Sequence, residues 1–251
     1  MRHITRRQFV KNAAAVGTVA GIGFPSIIRA QGLNEKLQAG FIAVDRRAKA
    51  HVMAAHRAGL HCVGFADIDT KRWKTLLNRE GWEKTPGYTD WRELFANHAK
   101  ELDVLFVSTP DHVHFAPSMT AVSMGIHCYT EKPLTWSVRE AQLLTAAYEA
   151  NPGVVTQMGN QGHAMEGWRL AYEYIKADAV GDVLEFHTWT DRPRWPQGNP
   201  RPEGSSPVPD HIDWESWIGP APMRPYHAKE QENGRPTYHH FNWRGFVDFG
   251  T

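Results

Sequence analysis

Residues 37–67 read LQAGFIAVDRRAKAHVMAAHRAGLHCVGFAD. Both ends of this stretch, 37–44 and 61–67, are short apolar runs of the kind that form buried strands, and 48–58 between them reads as a helix. Strand, helix and strand in that order make a βαβ unit, whose crossover sets the two strands parallel. Outward along the chain the alternation continues, with strands predicted at 102–108, 126–129 and 154–158 and helices at 70–79, 90–99, 113–124 and 138–151. The expected fold class is α/β, with a Rossmann-type parallel sheet over residues 37–158.

In a dinucleotide-binding sheet the turn after the first strand carries G-x-G-x-x-G. Here that turn is Ala43-Val44-Asp45-Arg46-Arg47-Ala48, without any of the three glycines. Ala43 and Ala48 are small, and the third position mainly requires close helix–sheet packing. Asp45 at the second position differs, because it puts bulk and negative charge where the backbone should approach a pyrophosphate. Weakened nucleotide affinity is expected, unless Arg46 or Arg47 offsets the charge. Asp67 ends the second strand, where a carboxylate accepts hydrogen bonds from adenosine ribose hydroxyls and favours NAD over NADP. It could equally cap the next helix, although Asp69 is the better-placed cap.

The 251-residue chain is 41% hydrophobic and 22% charged, as an ordinary globular protein is, and its net charge is +1. Without a Lys/Arg stripe interleaved with aromatics, no nucleic-acid partner is expected, and a small molecule is. Cys62 and Cys128, the only cysteines, lie beside apolar runs and read as buried thiols rather than a disulfide. No metal site is predicted. Fourteen histidines and ten tryptophans, many in the second half, suit a carbohydrate site, although core packing and surface loops account for them residue by residue.

Residues 1–30 read as an address. Thr5-Arg6-Arg7-Gln8-Phe9 opens a charged segment, 12–28 is Ala/Gly/Val-rich without acidic residues, and Ile28-Arg29-Ala30 offers a small-residue cleavage site. This pattern matches a twin-arginine signal peptide. A periplasmic or extracytoplasmic protein beginning near Gln31, with no stable membrane span after cleavage, is expected. A retained anchor is the alternative, disfavoured by Pro25 and by an apolar run short of the roughly 20 residues a spanning helix needs.

Two turns at strand ends add specificity. Ser108-Thr109-Pro110-Asp111-His112-Val113-His114 ends the strand at 102–108, and Glu131-Lys132-Pro133 follows the strand at 126–129. Together, at this spacing, they resemble the Gfo/Idh/MocA family of glucose-fructose oxidoreductase, inositol dehydrogenase and relatives. The likeness continues through Met158-Gly159-Asn160-Gln161-Gly162-His163, Trp217-Ile218-Gly219-Pro220-Ala221-Pro222 and Phe241-Asn242-Trp243-Arg244-Gly245-Phe246, and so covers nearly everything after residue 30.

The resemblance implies an NAD cofactor, with NADP less favoured, and hydride transfer with a sugar or sugar-derivative hydroxyl. Positions 43–46 (Ala43, Val44, Asp45, Arg46), Asp67, Thr109, Pro110, His114 and Gln161 become cofactor contacts. Lys132 is implied beside the nicotinamide and the reacting carbon, with Glu131 orienting it; both are catalytic candidates that also touch the cofactor. Two alternatives stand beside this: capping and solvent exposure for His112 and His114, and a surface salt bridge for Glu131 and Lys132, which the rigid turn at Pro133 disfavours.

Residues 159–251 are expected to begin an α+β substrate and oligomerisation domain, an open and mostly antiparallel sheet, with 182–190 as its first strand. Family members continue past Asp248-Phe249-Gly250-Thr251 into a helix bearing a catalytic His, so the resemblance implies C-terminal truncation and a homo-oligomer in the full-length form. Two other functions are compatible: an NAD-dependent glycosidase using transient sugar oxidation, and a non-catalytic sugar-binding protein, the latter motivated by Asp45 and the missing His.

Overall fold

Six parallel strands form one sheet: β1 (Gln38–Ile42), β2 (His61–Ala66), β3 (Gly87–Tyr88), β4 (Val104–Val107), β5 (His127–Glu131) and β6 (Thr156–Gly159). They lie in the order β3-β2-β1-β4-β5-β6. The order reverses between β1 and β4, and such switch points open a crevice outside the carboxyl ends of the strands. The structure is a computed structural model that describes residues 36–191, 195–198, 200–229 and 233–250, so the segment read as an export signal lies outside it.

The central strands are apolar along their length because helices cover both faces. On one face Ile42, Leu105 and Val107 pack with Leu94, Val122 and Leu144. On the other, Phe41 and Phe65 pack with Val52, Leu76 and Trp82. The covering helices are α1 (Ala48–Arg57), α2 (Lys74–Leu77), α3 (Trp91–His98), α4 (Phe115–Ser123) and α5 (Val138–Ala150). Local sequence fixes several starts: Asp90 caps α3, and Ser137 with Glu140 forms a reciprocal capping box at α5.

The structure departs from the sequence-based expectations in three places. The helix predicted at 70–79 is a 3₁₀ turn, Thr70–Arg72, followed by the single-turn α2. Strand β3 was not predicted; two residues are too few to show a period. The strand predicted at 182–190 does not form. Its alternation suits a strand, but a strand also needs a ladder partner. No described strand runs beside it, and Val183, Leu184, Phe186 and Trp189 are exposed. Helix α6 (Glu166–Lys176) precedes it, with Trp168, Tyr172 and Ile175 likewise exposed.

Among the described residues there is no second sheet. Residues 209–229 and 233–250 instead return across the carboxyl ends of the parallel strands. Thr70 N–H donates to the His211 carbonyl at 2.9 Å, Asp213 N–H to that of Ile68 at 2.8 Å and His112 N–H to that of Phe249 at 3.3 Å. This strap has its own apolar cluster, built on helix α7 (Trp214–Ile218), Tyr226, Tyr238, Trp243, Phe246 and Phe249. Trp214 and Trp217 stack with centroids 4.6 Å apart. Among the described residues no helix is long and apolar enough to cross a membrane.

Candidate functional site

A cavity of about 370 Å³ lies between the strand ends and the strap. From the sheet side it is lined by Ala43, Asp45, Arg46, Arg47, Asp67, Arg72, Ser108, Thr109, Pro110, Glu131, Lys132 and Gln161; His239, His240, Trp243 and Arg244 come from the strap. Its size and its position at the switch point are those of a small-molecule site.

The turn after β1 is formed without glycine. Ala43 and Arg46 take left-handed backbone, with φ of 67° and 56°. Asp45 does not present a bare charge to the cavity. Its carboxylate accepts from Arg72 NH1 at 2.7 Å and from Thr75 Oγ1 at 3.0 Å. Burial works against the charge, but the Arg72 pairing, the Arg46 backbone N–H and Thr75 outweigh it and hold the carboxyl below its usual range. The alternative in which Arg46 or Arg47 offsets the charge by pairing with Asp45 gives way to Arg72, while the Arg46 guanidinium meets the His240 ring. Helix α1 starts directly after this turn with no side chain capping its N-terminus.

Asp67 and Asp69 divide the tasks left open by the sequence. Asp69 caps the following turn, accepting from Lys71 N–H at 3.1 Å. Asp67 accepts from Val44 N–H at 2.9 Å and Asp69 N–H at 3.0 Å, tying the β2 end to the turn after β1, and still lines the cavity. Burial pushes its carboxyl up to about 6. The Val44 side chain is buried in the core, so only its backbone faces the turn.

Glu131 is 4% exposed and does not hold the Lys132 ammonium. One oxygen accepts from Arg47 Nε at 2.7 Å and from His51 Nε2 at 3.0 Å; the other accepts only the Lys132 backbone N–H, at 3.3 Å. The far ring nitrogen, His51 Nδ1, is 2.8 Å from Ser108 Oγ. Burial opposes the charge on Glu131, yet His51 and Arg47 hold its carboxyl down at about 2. Gly159 makes room for this arrangement, since a Cβ there would lie 2.6 Å from Glu131 Oε1. Adjacent side chains leave a strand in opposite directions. Lys132 accordingly projects away, exposed, with no partner for its ammonium among the described residues, and is followed by a cis bond to Pro133.

His114 does not line the cavity. It is 1% exposed, its ring nitrogens 2.6 Å from the Pro133 carbonyl and 2.9 Å from that of Thr109. The expectation of a cofactor-wall residue, and its alternative of solvent exposure, both give way to a buried link between the two turns. His112 is also buried, with Nε2 3.1 Å from the Trp217 carbonyl, and burial lowers it to about 4. The roles of His51, Ser108, Arg72 and Thr75 were missed in the sequence. The one available signal was Arg47 and His51 at i and i+4, on one face of α1.

These residues suit a dinucleotide. The uncapped start of α1 and Arg46 offer donors to a pyrophosphate, and Asp67 offers an acceptor to a ribose. Beside them, at the end of β4, the Thr109 hydroxyl is buried without a hydrogen-bond partner. Among the described residues no group of three or more His, Cys, Asp or Glu is placed to hold a metal.

Residues 39–159 match the oxidoreductase family with an NAD-binding Rossmann fold, Gfo/Idh/MocA. An uncharacterized oxidoreductase of Bacillus subtilis is 30% identical over 124 residues, which cover 48% of this chain and 31% of the relative. The levoglucosan dehydrogenase of Pseudarthrobacter phenanthrenivorans is 26% identical over 122 residues, 49% of this chain and 30% of the relative. The matched stretch is thus about a third of these relatives' length. Among solved structures, an NAD binding oxidoreductase from Klebsiella pneumoniae is 28% identical with a TM-score of 0.50, covering 59% of this chain and 40% of that one. The myo-inositol 2-dehydrogenase of Lactobacillus plantarum, at 18% identity and a TM-score of 0.53, covers 59% of this chain and 43% of its own and shares the fold. Over residues 39–159 the chain is thus similar to the NAD-binding Rossmann part of the Gfo/Idh/MocA oxidoreductases, and its parallel sheet has the fold of that part.

Proposed function

We propose that the chain binds NAD across the carboxyl ends of its sheet and serves hydride transfer with a hydroxyl of a sugar or sugar derivative. The observation that carries this is one cavity lined both by Asp67, the expected ribose acceptor, and by Lys132, whose ammonium has no partner among the described residues. Relatives named for inositol and levoglucosan support the substrate class. Asp67 would orient the adenosine ribose, and Arg46 with the α1 N-terminus the pyrophosphate. When bound, the nicotinamide supplies the hydride acceptor. Lys132 stabilises the alkoxide that develops as the hydroxyl proton leaves, or relays that proton. Glu131 acts behind it: held by Arg47 and His51, it fixes the turn from which Lys132 projects. Export by the twin-arginine route and assembly into a homo-oligomer belong to the same proposal.

Native mass spectrometry of the gently purified protein should find a bound dinucleotide. In a form of the protein that also carries the family's substrate domain, Lys132→Met should then keep much of the nucleotide affinity, while sugar-dependent reduction of NAD falls by about 100-fold or more in kcat, the size of a lost proton-transfer or alkoxide-stabilising group. An unchanged kcat with a raised KM would assign Lys132 to binding alone.

A further inference from the structure

The adenosine end of the cavity is built from charges that the fold pairs among themselves. Asp67 uses its carboxylate oxygens on two backbone N–H groups and keeps its place on the cavity wall. Arg72, on the same wall, is held from two sides: Nε lies 3.0 Å from Asp69 and NH1 2.7 Å from Asp45. Thr75 Oγ1 secures the second oxygen of Asp45 at 3.0 Å. In Rossmann sites an arginine near the β2 end receives the 2′-phosphate of NADP, and its fork of donors matches a phosphate well. Here the arginine in that neighbourhood already carries two carboxylates, and a third, Asp67, would meet the added anion.

We propose that Asp45 sets nucleotide specificity: by engaging Arg72 it withholds that guanidinium from a 2′-phosphate, so the cavity takes the dinucleotide with a free 2′-hydroxyl and rejects the phosphorylated one. This rests on the proposal that the cavity holds a dinucleotide. The residue that replaces the middle glycine of the phosphate turn thereby has a positive role. Its bulk and charge are directed along the wall toward β2 and α2, where they are compensated. Of the two cations in the turn itself, Arg47 is taken by Glu131, and Arg46 meets His240 and stands at the start of α1, beside the expected pyrophosphate position.

Calorimetric titration of the protein with NAD⁺ and NADP⁺ at one fixed ionic strength tests this. The wild type should bind NAD⁺ tighter by about 100-fold, the scale on which like charges brought together suppress a wrong partner. Asp45→Ala frees Arg72 from one of its carboxylates and should narrow that ratio by about tenfold or more, chiefly by tightening NADP⁺. Asp45→Asn removes the charge while keeping an acceptor for Thr75, and should move the ratio the same way even if the alanine variant loses order in the turn. Adding Arg72→Leu to Asp45→Ala should abolish the gain. A ratio unchanged in both Asp45 variants overturns the proposal. A gain that survives loss of Arg72 also overturns it, and assigns the 2′-phosphate to Arg46. A wild type that binds neither nucleotide overturns the dinucleotide cavity itself and this inference with it, a result distinct from binding with an unaltered ratio.

Discussion

Ala43 stands at the first glycine position of the phosphate turn and takes the left-handed backbone that glycine would take, with φ of 67°. A Cβ in that region costs about 1–2 kcal/mol, partly offset because glycine loses more entropy on folding. Ala43→Gly should therefore stabilise the protein by up to about 1 kcal/mol, read as a raised urea midpoint with an unchanged slope. A lowered midpoint would mean that the Ala43 methyl packs more favourably than its backbone is strained. At this scale the sequence was a good guide to which side chains face the cavity. Asp67, Thr109, Pro110 and Lys132 follow short apolar runs, and strand ends fix their place. It was a poor guide to partners. Asp45 finds Arg72, 27 positions on, and Glu131 finds His51, 80 positions back, pairs that only the parallel crossovers bring together. His114 shows the same limit: its motif places it after the Thr-Pro turn, but its ring lies buried between the Pro133 and Thr109 carbonyls.

Among elements, the contact between α1 and β5 carries the most consequence. Arg47 at the start of α1 and His51 one turn later both reach Glu131 at the end of β5, so the turn after β1 and the Lys132 turn are joined across β4. The Glu131 carboxyl is held at about 2 in the fold, against an ordinary value of 4.5, so this contact favours folding fully above pH 4.5 and ceases to as pH falls toward 2. Between those limits wild-type stability should fall with pH more steeply than that of Glu131→Gln, when urea midpoints are compared at several pH values. Parallel pH curves would show that the contact adds no pH-dependent stability. The elements themselves were legible where they are long and periodic: β1, β2, β4, β5, α1 and α5 all lie where the sequence placed them. Legibility failed where length or context decides. The 70–79 stretch breaks after one 3₁₀ turn, β3 is too short to show a period, and 182–190 has a strand pattern without a neighbouring strand.

Over the whole molecule the sheet and the strap, residues 209–229 and 233–250, are joined closely enough to be tested as one cooperative unit. Beside the side-chain pairs of Arg46 with His240 and Asp69 with His211, two kinds of contact join them. Backbone bonds from Thr70 to His211, from Asp213 to Ile68 and from His112 to Phe249 stitch the strap to the turns after β2 and β4. The second kind is aromatic: the His112 ring lies 5.6 Å from Trp217 and 5.0 Å from Phe249, which are themselves 4.7 Å apart. Trp217 is thus at once the centre of the strap's own cluster and its contact with the Thr-Pro turn, and it also lines the cavity. Trp217→Ala removes a buried indole, which costs about 3–5 kcal/mol in a core. If strap and sheet unfold together, far-UV circular dichroism and tryptophan fluorescence should trace the same single urea transition before and after the substitution, shifted down by that amount. If the strap is independent, the fluorescence of its remaining tryptophans should change at low urea while the helical signal of the sheet keeps its wild-type midpoint. The first outcome is expected, because hydrogen bonds of 2.8 and 2.9 Å cross the junction within two residues of each other, and Asp69 joins His211 at 3.0 Å beside them. Coincident transitions would also mean that nucleotide binding at the sheet stabilises the strap, so added NAD should raise both midpoints equally.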